Sequence, residues 1–454
     1  MWAGSSWVGP NAEYVETMRR LASAIKAMAT ISEWRARKGT KVASQSPGSA
    51  ALSFLAGAVV FFLDRPVLRV SERLVKAKLH CMTAFTRRGF MAASSLGLAG
   101  CAQRRIAIAP ATAMPRLAAV RVSASRVIRS TVGLRPFRPA GFVVRAEKLD
   151  AKTVVHNYGH GGAGITLSWG TAQLAVDLAP GGGRECAVIG CGVVGLATAR
   201  LLQERGFSPT IYAKEMPPLT TSNLAGGLWE PVSVFDHAQV TPEFRRQYGE
   251  ASRIAFRRYQ SFAGDAYGVR WVPLYSLSRE RAFVPPPPES PNSEVEPLYP
   301  EAAALTTAQH PFGVPYAYRR NTMLIEPAIY LSALMRDVYA AGGKILIREF
   351  AAAHDLMELR EDLIFNCTGL GARTLFGDQE LIPIRGQLVF LLPQPEVDYC
   401  TLGPDNIYMF PRRDGIVLGG SFERNVWNTQ PDSTTTERII RENATLFDAM
   451  RHVL

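Results

Sequence analysis

Apolar positions follow three patterns along this chain. The first is a short unbroken apolar run, CAVI at 186–189, which predicts a strand buried on both faces. It leads through glycines into VVGLATARLLQERG, where helical spacing persists until Gly206 ends it, and SPTIYAKE (208–215) then predicts a second strand. The second pattern is amphipathic: EPAIYLSALMRDVYAAGG (326–343) predicts a helix closed by Gly342-Gly343, followed by a strand in KILIREF. VRWVPLYSL (269–277) is strand-like and VPPPPESPNSEVEP (284–297) is a loop. The third pattern is weak periodicity, over the Ala-, Ser- and Arg-rich residues 1–81. Their apolar run ALSFLAGAVVFFL (51–63) is too short to span a bilayer, and a soluble or interfacial helix is expected there.

Charge sharpens this division. Residues 1–150 hold 24 Lys and Arg against 7 Asp and Glu, a surplus of 17, whereas residues 151–454 hold 27 against 32. The net charge of +12 is therefore N-terminal. With no zinc-finger, helix-turn-helix or RNP pattern, nucleic-acid binding is not expected. Six cysteines occur and none forms a CxxC pair, so no disulfide framework is implied, and Cys186 and Cys191 read as buried thiols beside the first strand. The seven histidines show no metal-binding spacing.

From Met82 the sequence MTAFTRRGFMAASSLGLAGCA is legible as an address. Thr86 to Met91 resembles a twin-arginine export motif, and Leu98 to Cys101 resembles a lipobox with Cys101 as the lipidated residue. The expectation is translation from Met82 and a periplasmic or membrane-anchored lipoprotein, with a cytoplasmic protein otherwise.

Gly190, Gly192 and Gly195 form GxGxxG between strand and helix. Gly190 permits the turn, Gly192 lets backbone approach a pyrophosphate, and Gly195 lets helix and strand pack closely; Val193 and Val194 open the helix whose N–H groups face the phosphates. Glu215 lies 20 residues after Gly195, where an acid for the adenosine ribose is expected, but its neighbour Lys214 occupies an equally suitable position. In PPLTTSNLAGGLWEP (217–231), Thr220, Thr221 and Ser222 can bond phosphate oxygens, and Ala225, Gly226, Gly227 and Leu228 can lie against a ring system.

These pieces, with LIFNCTGLGAR (363–373), PIRGQLV (383–389), IYMFPRRDGIVLGGSFE (407–423), VGLRPFRP (132–139) and HNYGHGGAGITLSWGTA (156–172), resemble the D-amino-acid oxidase family of the glutathione-reductase-like superfamily. The resemblance implies FAD as cofactor and an α/β fold, a Rossmann-like FAD-binding domain interleaved with an antiparallel-sheet substrate domain. The address motif separately sets off a signal at 82–103 and an extension at 1–81 expected to be disordered or outside the working protein. The resemblance divides the rest into 104–180 (substrate arginine and flavin loop), 181–230 (Rossmann segment), 231–325 (substrate domain), 326–380 (FAD domain) and 381–454 (substrate domain and closing helix). The order departs from the family, in which GLRP and HNYGHGG come last; here they come first, as in a circular permutation, with PGGGRE (180–185) as the new link. A gene-model chimera is the alternative.

The resemblance also implies roles. Arg135 forks the substrate carboxylate, Tyr408 touches it, and Gly162 offers its carbonyl to the amine. Gly161, Gly162, Ala163, Gly164, Ile165 and Thr166 wrap the flavin, with Thr368 and Gly369 nearby, and the small Ala163 is expected to alter the pocket. His156 and His160 fix their loop. The family's lid tyrosine has no equivalent at Pro404, and Tyr399 is not expected to replace it. The implied reaction is oxidation of a D-amino acid by O₂, with possible dimerisation. D-aspartate oxidation, a quinone-linked dehydrogenase and a non-catalytic flavin-binding relic remain as alternatives.

Overall fold

The computed structural model describes residues 114–181 and 183–451. The extension, the export and lipobox motifs and Cys101 lie outside the described residues.

Along the chain come β1 (Val127–Phe137), β2 (Val143–Leu149), β3 (Lys152–Tyr158), α1 (Gly164–Asp177), β4 (Glu185–Ile189), α2 (Val193–Glu204) and β5 (Ser208–Ala213). Next are α3 (Pro242–Gln260), β6 (Val269–Ser278), β7 (Ala303–Leu305), β8 (Tyr316–Ile325), α4 (Pro327–Ala340), β9 (Lys344–Ile347), β10 (Leu363–Asn366) and α5 (Gly371–Leu375). The last are β11 (Ile382–Leu391), β12 (Cys400–Leu402), β13 (Tyr408–Arg412), β14 (Gly415–Gly419), β15 (Glu423–Arg424) and α6 (Ser433–Asp448).

Among the described residues these strands form two sheets. Six run in the order β2-β3-β10-β4-β5-β9, parallel except for β2 at one edge. Nine form the other sheet, β1-β11-β14-β13-β12-β6-β8-β7 with β15 beside β11. That sheet is antiparallel except for the parallel pair β6–β12, a departure from the purely antiparallel sheet expected.

At the centre of the parallel sheet, strands covered on both faces read as continuous apolar runs. β4 and β10 are buried along nearly their whole lengths. One core cluster takes in β4, α1, α2, α3 and α4. The interval 231–325 is therefore not one substrate unit: α3 packs on α1. A Cβ at Gly170 would lie 1.9 Å from the Ala251 carbonyl oxygen, so glycine sets that helix crossing. Among the described residues no helix is long and apolar enough to cross a membrane, and no group of three or more His, Cys, Asp or Glu could hold a metal ion.

Candidate active site

The C-terminal ends of β3, β4, β5, β9 and β10 open on one cavity of about 790 Å³, large for a small-molecule site. Open parallel sheets place ligands at these strand ends. The wall is completed by β1, β11 and β13 of the other sheet, through Arg135, Leu388 and Tyr408.

Each glycine of the first turn has a distinct place. Gly190 has φ +110°, and a Cβ there would lie 2.5 Å from the Cys367 carbonyl oxygen. Gly192 is the α2 N-cap at φ −76°, where a Cβ would meet only Ser222 Oγ at 3.2 Å, so it leaves open a cradle a side chain would fill. Gly195 does not line the cavity; its Cβ would strike the Gly190 carbonyl oxygen at 2.0 Å, so it serves helix–turn packing. The Val193 N–H donates to Ser222 Oγ at 3.0 Å. Val193, Val194, Thr220, Thr221 and Ser222 all line the cavity. A helix N-terminus, hydroxyls and bare backbone suit a pyrophosphate.

The second loop is held by close backbone contacts. Gly161 has φ +57° and its Cβ would overlap the Ser233 carbonyl; a Cβ at Gly162 would lie 2.7 Å from the Val232 carbonyl oxygen. Thr166 Oγ1 donates to the Glu230 carbonyl at 3.1 Å and accepts from the Glu230 N–H at 3.2 Å, tying α1 to segment 228–232. Gly161, Gly162, Gly164, Ile165 and Thr166 line the cavity, as do Ala225, Gly226, Gly227, Leu228, Thr368 and Gly369. Ala163 does not: it is fully buried in the core, so its small size does not shape the pocket. The N-termini of α1 and α2 both face the cavity and place two positive dipole ends on it.

Both histidines are held by hydrogen bonds, and His160 also lines the cavity. His160 is buried, stacks on Phe142 and bonds Thr171 Oγ1 through Nε2 at 2.8 Å; burial lowers its pKa to about 3. His156 accepts from Asn366 Nδ2 at 3.0 Å, its Nε2 lies 3.0 Å from Glu147 Oε1, and burial lowers its pKa. Asn366 Oδ1 accepts from the Thr368 hydroxyl at 2.7 Å, so His156 sets a residue that lines the cavity.

Arg135 and Tyr408 meet across four neighbouring strands. Gly133 pairs with Gly386 between β1 and β11, and Gly419 of β14 pairs with both Leu388 of β11 and Tyr408 of β13. The Arg135 guanidinium lies over Gly386, where a Cβ would be within 2.6 Å of its Cζ, and the Tyr408 ring covers Gly419. Two glycines thus clear the space in which both side chains converge. Arg135 Nη1 is buried without a hydrogen-bond partner, so the guanidinium keeps a donor for an anion. Burial raises the Tyr408 pKa, and the adjacent Arg135 pulls it back, so the phenol is a proton donor at neutral pH. Arg138 takes the structural ion pair instead, at 2.9 Å from Asp378. Tyr399 is buried away from the cavity and donates to the Ala118 carbonyl at 2.8 Å.

Spacing marked Glu215 and Lys214, while several other cavity residues were not singled out. Glu215 and Lys214 both line the cavity, and Lys214 Nζ donates to Glu349 Oε1 at 2.8 Å. Arg348, Glu349 and Phe350 enter because β9 lies parallel beside β5; the strand reading of KILIREF and that adjacency would have found them. Glu230, Gly386, Leu388, Leu402 and Phe410 were also unmarked.

The chain is similar to several known proteins. The family model described as FAD dependent oxidoreductase (DAO) matches residues 103–178 and 185–454. A D-amino-acid oxidase of Rubrobacter xylanophilus is 32% identical over 276 residues, covering 59% of this chain and 78% of that protein. Human D-aspartate oxidase is 31% identical over 271 residues, covering 56% of this chain and 73% of that protein. Among solved structures, a glycine oxidase from Bacillus cereus matches with a TM-score of 0.43 at 14% identity, covering 59% of this chain and 78% of that one.

Proposed function

Because the chain belongs to the FAD-dependent oxidoreductase family, we propose that it oxidises D-amino acids to imino acids, which hydrolyse to 2-oxo acids and ammonia while O₂ is reduced to H₂O₂. The observation that carries this reading is the buried, unpartnered Arg135 Nη1 in the wall of a dinucleotide-shaped cradle. FAD, when bound, supplies the two-electron acceptor for the Cα hydride and passes the electrons to O₂.

The protein's contribution is positioning and charge. Arg135 presents a planar fork for the substrate carboxylate, and two parallel N–H bonds fix its orientation. Tyr408 donates its hydroxyl to the same group. Gly162 offers its backbone carbonyl to the amine. With carboxylate and amine both held, one Cα face is turned to the acceptor, and such orientation accounts for much of the rate. The N-terminus of α1 favours negative charge developing nearby. No strong base is needed once the amine is neutral.

The test is anaerobic mixing of the yellow protein with paired D- and L-amino acids. Bleaching by D-forms only, followed by recolouring in air, is expected. Flavin that stays oxidised with every amino acid would refute the reading.

We further propose that the motif order is a circular permutation of the family's fold. The Tyr399 hydroxyl bonds the Ala118 carbonyl and lies 3.7 Å from Met450 Sδ, so the two described ends meet on one side chain. Val120 and Met450 share a core cluster. The link between α1 and β4 is exposed at 180, 181, 183 and 184. A variant running from Glu185 to Arg451, then through a short Gly-rich linker into 117–179, keeps every residue of the core clusters. It should bind FAD and retain kcat/KM to within about threefold; a soluble variant that binds no FAD would count against permutation.

A further inference from the structure

The loop from Ala225 to Leu228 lines the cavity and is held from the other sheet. Gly227 has φ +91°, and its carbonyl accepts from the Ile325 N–H at 2.7 Å. The Ala225 carbonyl accepts from Arg412 Nη1 at 2.9 Å. Arg412 ends β13, where Tyr408, Phe410 and Arg412 share one face at the two-residue period of a strand. Tyr408 stacks on Phe410 with ring centroids 4.9 Å apart, and a Cβ at Gly226 would lie 2.6 Å from the Phe410 ring. One strand therefore carries the tyrosine of the substrate side, the ring that packs on Gly226 and the guanidinium that holds Ala225.

Arg412 is placed by its own turn. Its Nε donates to Asp414 Oδ1 at 2.8 Å and its Nη2 to Asp414 Oδ2 at 2.6 Å, a two-pronged grip that leaves Nη1 for the loop. Asp414 also accepts from Arg129 Nη2 at 2.8 Å. The Arg412 side chain is only 2% exposed, so its bonds are little screened by water. It does not itself line the cavity, whereas Ala225 and Gly226 do. In a trans peptide the C=O and the N–H point to opposite sides. With the Ala225 carbonyl turned back to Arg412, the Gly226 N–H of the same peptide faces the other way, and among the described residues it donates to no acceptor.

We propose that Arg412 is a positioning residue for the flavin: it grips the Ala225 carbonyl from behind the loop and so fixes the Gly226 N–H as a hydrogen-bond donor to the cofactor. Asp414 holds Arg412 in that pose. The N–H of the half-buried Gly226 then gains the partner it lacks within the protein. A preorganised donor beside a ring that takes up electrons favours the reduced form over the oxidised one. This role depends on FAD binding and not on which substrate is oxidised.

The test uses the yellow holoprotein with no amino acid present. Dilution followed by flavin fluorescence gives the FAD dissociation constant, and equilibration with a reference dye gives the midpoint potential. Arg412→Met should raise the dissociation constant about tenfold, the loss expected for one hydrogen bond to a charged group, and move the potential in the negative direction. Arg412→Lys can reach the loop or Asp414 but not both, and should recover part of each readout. Asp414→Asn should shift both values the same way by less, and serves if Arg412→Met does not fold. Arg413→Met is the control: Arg413 is next in the turn but pairs with Asp265 and Glu326, so both values should match wild type. A folded Arg412→Met or Asp414→Asn protein with FAD affinity within about twofold of wild type and an unchanged potential would overturn the proposal. Equal losses in Arg413→Met would overturn it too, because they would mark a loosened turn and not a lost grip on Ala225. Both values are read without substrate, so a failure of the oxidase reading is a separate result.

Discussion

Arg135→Met is expected to lower kcat/KM for D-amino acids by about 10²- to 10³-fold, the 2–5 kcal/mol lost when one partner of a buried charge pair is truncated. The protein should remain yellow, because Arg135 extends from β1 toward the Tyr408 side of the cavity, away from the GxGxxG turn. Nor should stability suffer. The guanidinium is packed over Gly386 with Nη1 unsatisfied, and that desolvation cost offsets what its contact with Tyr408 contributes. The melting temperature of the variant should equal or exceed that of wild type, which separates loss of binding from loss of fold. Gly386→Ala offers a second route: its Cβ would come within 2.4 Å of Arg135 Nη2 and displace the guanidinium without removing it. Steady-state kinetics decide the matter. A kcat/KM for Arg135→Met within tenfold of wild type would remove Arg135 from the role of carboxylate ligand.

Gly190→Val should abolish FAD binding. The residue sits at φ +110°, a region closed to β-branched side chains, and its Cβ would lie 2.5 Å from the Cys367 carbonyl oxygen. Strain and overpacking together cost about 2–6 kcal/mol. Relief requires β4 and β10 to separate at their C-terminal ends, where the cradle is built. The expected preparation is colourless, melts lower, and does not regain flavin absorbance on incubation with FAD. Gly192→Ala is the informative contrast. At φ −76° it carries no strain, and its Cβ meets only Ser222 Oγ at 3.2 Å, so it should fold normally and bind FAD more weakly. A Gly190→Val protein purified with a full complement of FAD would show that this turn does not hold the cofactor.

Much of the cofactor half of the site is legible because its parts are local. GxGxxG, the strand before it and the helix after it lie within about twenty residues, and the positive φ of Gly190 and the contact of Gly195 with Gly190 arise within the turn itself. The loop from His156 to Thr166 is also one continuous stretch. The resemblance carried Arg135 and Tyr408, yet nothing near either residue says that Gly386 and Gly419 must be bare for the two to meet. Gly195 and Ala163 show the limit from the other side: membership of a motif did not put them at the cavity wall.

The amino-acid sequence by itself determined the cofactor class, the α/β organisation, the reaction family and the unusual order of motifs. Periodicity, glycine positions and spacing carried the α/β organisation and the dinucleotide turn, and the resemblance to the family carried the cofactor, the reaction and the comparison of motif order. The tertiary structure alone decided which charges pair with one another. Glu230 finds Arg320 ninety residues later, Lys214 finds Glu349 through the pairing of β5 with β9, and α3 joins the core of the parallel sheet through Gly170. Such pairings are set by which strands and helices become neighbours. That is a property of packing across the whole chain, and no local stretch encodes it.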